Sequence, residues 1–123
     1  VNILTNHAFH NREIKVFGGD QLRPNIHIKD MIDCYLAILN ADDKKINGQI
    51  FNVASGVPVT IKSVIEKIKK TIGKGEPRFG KVPYKVGENM SLYADISKIK
   101  KVLKWKPKTS FEEGLKKTIQ SFK

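Results

Sequence analysis

The sequence predicts an α/β fold of mixed short strands and amphipathic helices, and three observations carry that expectation. Apolar residues recur at helical spacing in Ile61, Val64, Ile65, Ile68 and Ile72, and again in Phe111, Leu115, Ile119 and Phe122. Between such runs the chain alternates with period two, as where Leu22, Pro24, Ile26 and Ile28 oppose Arg23, Asn25 and His27. Gly and Pro separate the runs at short intervals, and 123 residues suit one domain better than two. Residues 1–123 are therefore expected to form a single unit.

Taken in order, Val1 to His10 reads as the end of a helix, with Ile3, Leu4, Ala8 and His7 on one side. Ile14 to Phe17 is a short β run closed by the turn Gly18-Gly19-Asp20. Leu22 to Ile28 is a strand at an edge or bend, because Pro24 lacks a main-chain donor. Asp30 is an expected N-cap for a helix whose stripe is Met31, Ile32, Tyr35, Leu36 and Leu39. After the Asn47-Gly48 turn, Gln49 to Ala54 alternates as a strand. Thr60 caps the helix that Gly73 stops. Residues 74–92 read as loop with a strand near Arg78 to Val82. Asp95 begins a short helix through Ile96, Ile99 and Leu103, which Trp105 and Pro107 follow. Ser110-Phe-Glu-Glu113 is a capping box for the last helix.

Composition bounds the function. The net charge is +11, yet residues 1–55 balance six basic against six acidic side chains, so residues 56–123 carry all of it. A basic, non-catalytic nucleic-acid-binding module is the alternative that this half suggests. Twenty of the 23 basic residues are lysines, which argues against it, because groove and phosphate readers favour the arginine fork. The longest apolar run, Tyr35 to Leu39, is far short of the ~20 residues of a membrane span, so no membrane partner is expected. One cysteine, Cys34, and no secretory leader fit a cytoplasmic setting. The chain opens at Val1 inside a helical run, which suggests a piece of something longer.

Several chemistries lack their residues. No Gly-x-Gly-x-x-Gly turn or phosphate loop occurs, and Gly18-Gly19 and Gly73-Lys74-Gly75 lack the spacing. His7, His10 and His27 have nothing to make them converge on a metal. Cys34 sits among packing residues rather than beside a base. No catalytic and no metal-binding residue is assigned.

Four segments in fixed order carry more. They are Ile14-Lys-Val-Phe-Gly18, Arg23-Pro-Asn-Ile-His-Ile-Lys-Asp30, Phe51-Asn-Val-Ala-Ser-Gly56, and Pro83-Tyr-Lys-Val-Gly-Glu88 leading to Ala94-Asp-Ile-Ser-Lys98. Leu103-Lys-Trp-Lys-Pro107 and Phe111-Glu-Glu-Gly-Leu115 follow. The series resembles the C-terminal, substrate-binding lobe of the extended short-chain dehydrogenase/reductases that act on nucleotide sugars, the NAD-dependent epimerases and dehydratases. The resemblance runs from near Val1 to Lys123 and represents roughly the last two-fifths of a typical member.

The resemblance implies a small substrate-binding lobe that is normally attached to an NAD-binding Rossmann domain absent from this chain. It implies a nucleotide-diphosphate sugar as ligand and sugar epimerisation through NAD as the parent activity, with 4,6-dehydration or reduction as alternatives. A remnant that keeps the fold without activity is a further alternative. By that resemblance Arg23 grips the diphosphate, Asn52 contacts the nucleotide, and Lys85 takes the place of a second diphosphate arginine. Glu88 reaches ribose or sugar hydroxyls, while Lys15, Val16 and Phe17 line the nucleobase. From the residues alone, Arg23 has Asp20 or Asp30 as ordinary ion-pair partners, Asn52 could be a buried amide, and Phe17 a core aromatic. Three departures stand out: Lys85 lacks the guanidinium fork, Pro24 and Asn25 replace Asp and an aromatic, and Leu92 stands at an often aromatic position. The cofactor turn and the Tyr-x-x-x-Lys pair belong to the lobe not present here, and none of Tyr35, Tyr84 and Tyr93 has a lysine four residues on. A homodimer through that lobe is a further expectation, and these 123 residues alone are expected to be inactive.

Overall fold

A computed structural model describes residues 1–123. Ten short elements follow one another: α1 (Asn2–Phe9), β1 (Glu13–Lys15), β2 (Leu22–Arg23), α2 (Ile28–Leu39), α3 (Asp43–Ile46), β3 (Val59–Thr60), α4 (Ile61–Ile72), β4 (Glu76–Arg78), α5 (Ser97–Leu103) and α6 (Phe111–Gln120). The strands form two two-stranded pairs. β1 runs parallel to β4, with Ile14 opposite Pro77, and β2 runs antiparallel to β3, with Arg23 opposite Val59. A parallel bridge joins Leu22 to Ser91, so β2 lies between β3 and the loop that follows β4.

α4 and α6 form as their sequences require. The Thr60 hydroxyl accepts from the Ser63 amide at 3.1 Å, and Gly73 closes α4 with φ of +80°. The Ser110 hydroxyl accepts from the Glu113 amide at 3.2 Å. The reciprocal half of the capping box is replaced, because the Glu113 carboxylate turns outward to Lys117 at 2.8 Å. Val64, Ile68, Leu115 and Ile119 then meet Ala8 and Ile14 in one apolar cluster, flanked by Leu4, Phe9, Val16 and Phe111. Gly75, at φ +101°, passes so close that an added Cβ would lie 3.1 Å from the Ala8 Cα.

A second cluster gathers Cys34, Ala54, Ile96, Ile99 and Trp105, with Ile26, Ala37, Ile38 and Phe51 against it. Here the sequence expectation for α2 is corrected twice. The helix starts two residues before Asp30, and His27 caps it by accepting from the Lys29 amide at 3.2 Å. Asp30 instead points inward, 2 % exposed, and its carboxylate accepts from the Lys108 and Thr109 amides at 3.2 and 2.9 Å and from the Thr109 hydroxyl. On the same inward side, Cys34, Ala37 and Ile38 meet the cluster. Ile32, Tyr35, Leu36 and Leu39, expected as the buried stripe, are left half or more exposed. Ile3 of α1 is likewise exposed, while Thr5 and Ala8 are buried.

Three strand expectations are also revised. Only Leu22 and Arg23 of the 22–28 run enter a ladder, because Pro24 has no N–H and the helix already begins at Ile28. The strand expected at Arg78–Val82 lies earlier, at Glu76–Arg78, though the Val82 amide still donates to the Val16 carbonyl. Gln49 to Ala54 forms no strand. Its main-chain links are the Gln49 amide turning back to Ile46, the neighbouring Ser55 amide donating to the Asn25 carbonyl at 2.7 Å, and the Lys98 ammonium on the Ile50 carbonyl at 2.9 Å. The sequence also offered no expectation of α3, a single turn that Asp42 caps through the Lys44 amide.

Candidate functional site

The end of β1, the start of β2 and the loop after β4 enclose an open cleft of about 480 Å³. β1 alternates: Ile14 is buried and Lys15 exposed, so Lys15 and Phe17 share the cleft side while Val16 also packs on the first cluster. Arg23 enters from β2 and Glu88 from the loop; Gln21, Ile61 and Val82 complete the wall. Five of the seven residues named above, Lys15, Val16, Phe17, Arg23 and Glu88, therefore line one space.

The other two lie apart. Lys85 is exposed and off the cleft wall, although its carbonyl accepts from the Glu88 amide at 3.0 Å and so shapes the turn that carries Glu88. Asn52 is exposed on the extended segment beside α2, outside the cleft. A groove of similar size, about 480 Å³, does run there between α2 and residues 46–53, lined by Cys34, Tyr35, Ile38, Phe51 and Val53. It has no charged side chain in its walls, and burial pushes the Cys34 thiol pKa up, away from thiolate chemistry.

The polar geometry of the charged cleft centres on Arg23. One terminal nitrogen, Nη1, donates to the Leu22 carbonyl at 2.8 Å and to the Asn89 carbonyl at 2.7 Å. The other, Nη2, donates to Glu88 Oε1 at 2.5 Å, with the two side chains 26 % and 21 % exposed. Neither Asp20 nor Asp30 pairs with it. Asp20 is taken by Tyr84, whose hydroxyl accepts from the Asp20 amide at 3.2 Å and donates to its carboxylate at 3.4 Å. The Tyr84 ring stacks on Phe17, with centroids 5.7 Å apart and planes 14° from parallel. One face of Phe17 is thus covered by protein. Gly18 is what admits Tyr84: a Cβ there would come 2.7 Å from the tyrosine oxygen.

Gln21 was missed by the sequence reading and is the cleft's unusual member. It is 3 % exposed, its main-chain carbonyl accepts from the Ile61 amide at 3.1 Å, and its side-chain Oε1 has no partner in the protein. Leaving a buried amide oxygen unpaired costs about 1–3 kcal/mol. The signal was available: Gln21 lies two residues before Arg23, hence on the same side of an extended strand. Tyr84 carried no comparable signal, since its partners Phe17 and Asp20 are more than 60 positions away.

These residues do not fit a dinucleotide. The glycines at 18, 19 and 75 are occupied by close protein neighbours rather than open to a pyrophosphate, Gly19 lying against Lys62 and Gly75 against Ala8. Gly73 closes a helix C-terminus, whose carbonyls repel anions.

Comparison with known proteins bears on family and fold. The family profile described as GDP-mannose 4,6 dehydratase matches residues 2–118. UDP-glucuronate 4-epimerase of Thermodesulfobacterium geofontis is 38 % identical over 117 residues, covering 90 % of this chain and 33 % of that protein. CDP-paratose 2-epimerase of Salmonella typhi is 33 % identical over 110 residues, covering 87 % of this chain and 32 % of its own length. Among solved structures, the UDP-glucose 4-epimerase of Thermotoga maritima with UDP-glucose superimposes with a TM-score of 0.86 at 28 % identity, over 98 % of this chain and 38 % of that one. The dTDP-glucose 4,6-dehydratase of Bacillus anthracis with NAD shares the fold, with a TM-score of 0.83 at 23 % identity over 98 % of this chain and 37 % of that one. The chain spans about a third of the length of the relatives it matches. With a lobe of mixed helices and short strands that corresponds to their C-terminal region, the chain belongs to the GDP-mannose 4,6-dehydratase family of nucleotide-sugar epimerases and dehydratases.

Proposed function

We propose that these 123 residues form a single lobe that binds the nucleotide-diphosphate sugar of an NAD-dependent epimerase, and that the charged cleft takes the nucleoside diphosphate. The observation that carries the reading is the convergence of Lys15, Arg23 and Gln21, whose buried side-chain oxygen has no protein partner, on the lining of one cleft. Arg23 supplies the guanidinium for the diphosphate. Lys15 adds a second cation, Gln21 offers its amide to a base or ribose group, and Val16 and Phe17 form the apolar floor. Lys85 and Asn52 stand too far out to act within the cleft as it is shaped here, and their proposed contacts would require the surrounding segments to close over the ligand. Support for the ligand class comes from relatives solved with UDP-glucose and with UDP-glucuronic acid. Epimerisation is preferred to dehydration or reduction because several relatives at 30 % identity or more are named 4-epimerases.

NAD would supply hydride transfer in the whole enzyme, and its binding belongs to sequence other than these residues. With neither a dinucleotide turn nor a Tyr-x-x-x-Lys pair, the 123-residue chain is expected to bind substrate without converting it. Calorimetric titration with UDP-, dTDP-, GDP- and CDP-sugars tests the reading. Arg23→Ala should weaken the tightest of these by about ten- to a hundredfold, the worth of a charge-assisted phosphate contact. An unchanged dissociation constant overturns it.

A further inference from the structure

We propose that Glu88 sets the ligand class of the cleft: it holds Arg23 until a ligand carrying both a diphosphate and free hydroxyls takes over both side chains. The inference rests on the reading that Arg23 is the diphosphate group. A guanidinium has five N–H donors and grips a phosphate through two of them on one edge. Both donors of Nη1 are already committed, to the Leu22 and Asn89 carbonyls. The edge formed by Nε and Nη2 is what remains for a phosphate, and Nη2 is the nitrogen that Glu88 occupies at 2.5 Å. A diphosphate can therefore use the fork only by displacing the carboxylate.

The displaced carboxylate is an acceptor without a donor in a half-buried setting, which is unfavourable unless something replaces the guanidinium. Lys15 is the one other cation on the cleft wall, and a diphosphate competes for it as well. Hydroxyl groups on the ligand supply the missing donors. A nucleoside diphosphate sugar brings them, and inorganic pyrophosphate does not. The loop can survive the exchange, because it is tied to β2 independently of Glu88. The Leu22 amide donates to the Met90 carbonyl at 2.8 Å, and the Leu92 amide donates to the Leu22 carbonyl at 3.2 Å. Gly87, at φ +78° with nothing within 4 Å of an added Cβ, leaves open space beside Glu88.

The test compares inorganic pyrophosphate with the tightest-binding of UDP-, dTDP-, GDP- and CDP-glucose, titrated into the 123-residue chain. The wild type should prefer the nucleotide sugar by about a hundredfold or more. Glu88→Gln removes the competing charge and should tighten pyrophosphate by about fivefold or more while weakening the nucleotide sugar, so the preference shrinks at least about tenfold. Glu88→Asp should keep most of it. If Glu88→Gln leaves pyrophosphate affinity unchanged or lower, or moves both ligands equally, the exchange is wrong. Should that variant melt early, the wild type still decides the matter: the Glu88 carboxylate ¹³C resonance must move on adding nucleotide sugar, and a stationary resonance at saturation overturns the proposal. Arg23-dependent binding without the change in preference defeats this inference alone. A wild type that binds no nucleotide sugar defeats it together with the proposed function.

Discussion

Gln21 shows how much one buried side chain can separate stability from binding. Gln21 lines the cleft and its side-chain oxygen is buried without a partner, so replacing the amide by an apolar group of similar size removes a buried polar cost. Gln21→Leu is expected to leave the melting temperature unchanged or raise it, by up to about 1 kcal/mol of stability, while weakening nucleotide-sugar binding. Loss of stability together with full retention of binding would assign Gln21 to the scaffold. Asp30 is the opposite case. Its carboxylate satisfies two amides and a hydroxyl at once, so Asp30→Ala strands three donors and should cost on the order of 3 kcal/mol, read from chemical denaturation. What the sequence showed of these residues divides by distance. Arg23 was visible because it stands on the polar side of a local alternation. Its partner Glu88 is 65 positions away, and the pairing that replaced Asp20 and Asp30 depends on how the loop folds back onto β2. Asp30 looked like a cap because the acceptor-poor stretch at Lys108 and Thr109 cannot be seen from its own neighbourhood.

Among the elements, α4 and the start of α6 were readable to within a residue because what specifies them is local: a hydroxyl at the cap, a periodic stripe, and a glycine stop for α4. α6 has no such stop and ends at Gln120, leaving Phe122, expected in its buried stripe, 38 % exposed beyond it. Ile68 is 1 % exposed between these helices, and Ile68→Ala should cost about 2–5 kcal/mol. Salt bridges contribute differently. Glu112 pairs with Lys67 across the two helices, and Glu113 pairs with Lys117 along α6. Hydrogen bonding to Lys67 and to Lys117 respectively, aided by the lysine charge, holds each carboxyl pKa below its ordinary value. A lowered folded-state pKa means stabilisation that is complete above the ordinary carboxylate range and fades as pH falls through the folded value. Both pairs are solvent-exposed, so the effect is small. Lys67→Met should therefore raise the Glu112 pKa toward normal in a carboxyl NMR titration and leave neutral-pH stability nearly unchanged. The Gln49–Ala54 run failed as a strand for the converse reason. Alternation prepares a segment for pairing, but a ladder needs a neighbour, and the one main-chain bond from Ser55 to Asn25 is all that β2's continuation provides.

At the scale of the whole molecule, two apolar clusters are held together by the Asp30 contact and by the return of the chain through Trp105 to α6. The lysine excess falls mainly outside both, on helix faces and the segment between α5 and α6, so net charge bears on solubility more than on the cleft. α2 presents Ile28, Ile32, Tyr35, Leu36 and Leu39 on its outer side, each at least half exposed. Since Leu36 packs little, Leu36→Lys should change stability by no more than about 0.5 kcal/mol while lowering the binding of a hydrophobic dye. A large loss of stability would mean that this face is covered in solution. The Asp30–Thr109 link has one more consequence, which concerns order in time. It joins positions 79 apart, and Ala8 likewise waits for Leu115 and Ile119 to finish its cluster. The first cluster therefore cannot close until Leu115 and Ile119 have been made, whereas every buried member of the second, Trp105 included, precedes Ser110 and can gather earlier. A stop codon before Ser110 would then release a chain that keeps the second cluster's residues but leaves Ala8, Ile14, Val64 and Ile68 without their α6 partners.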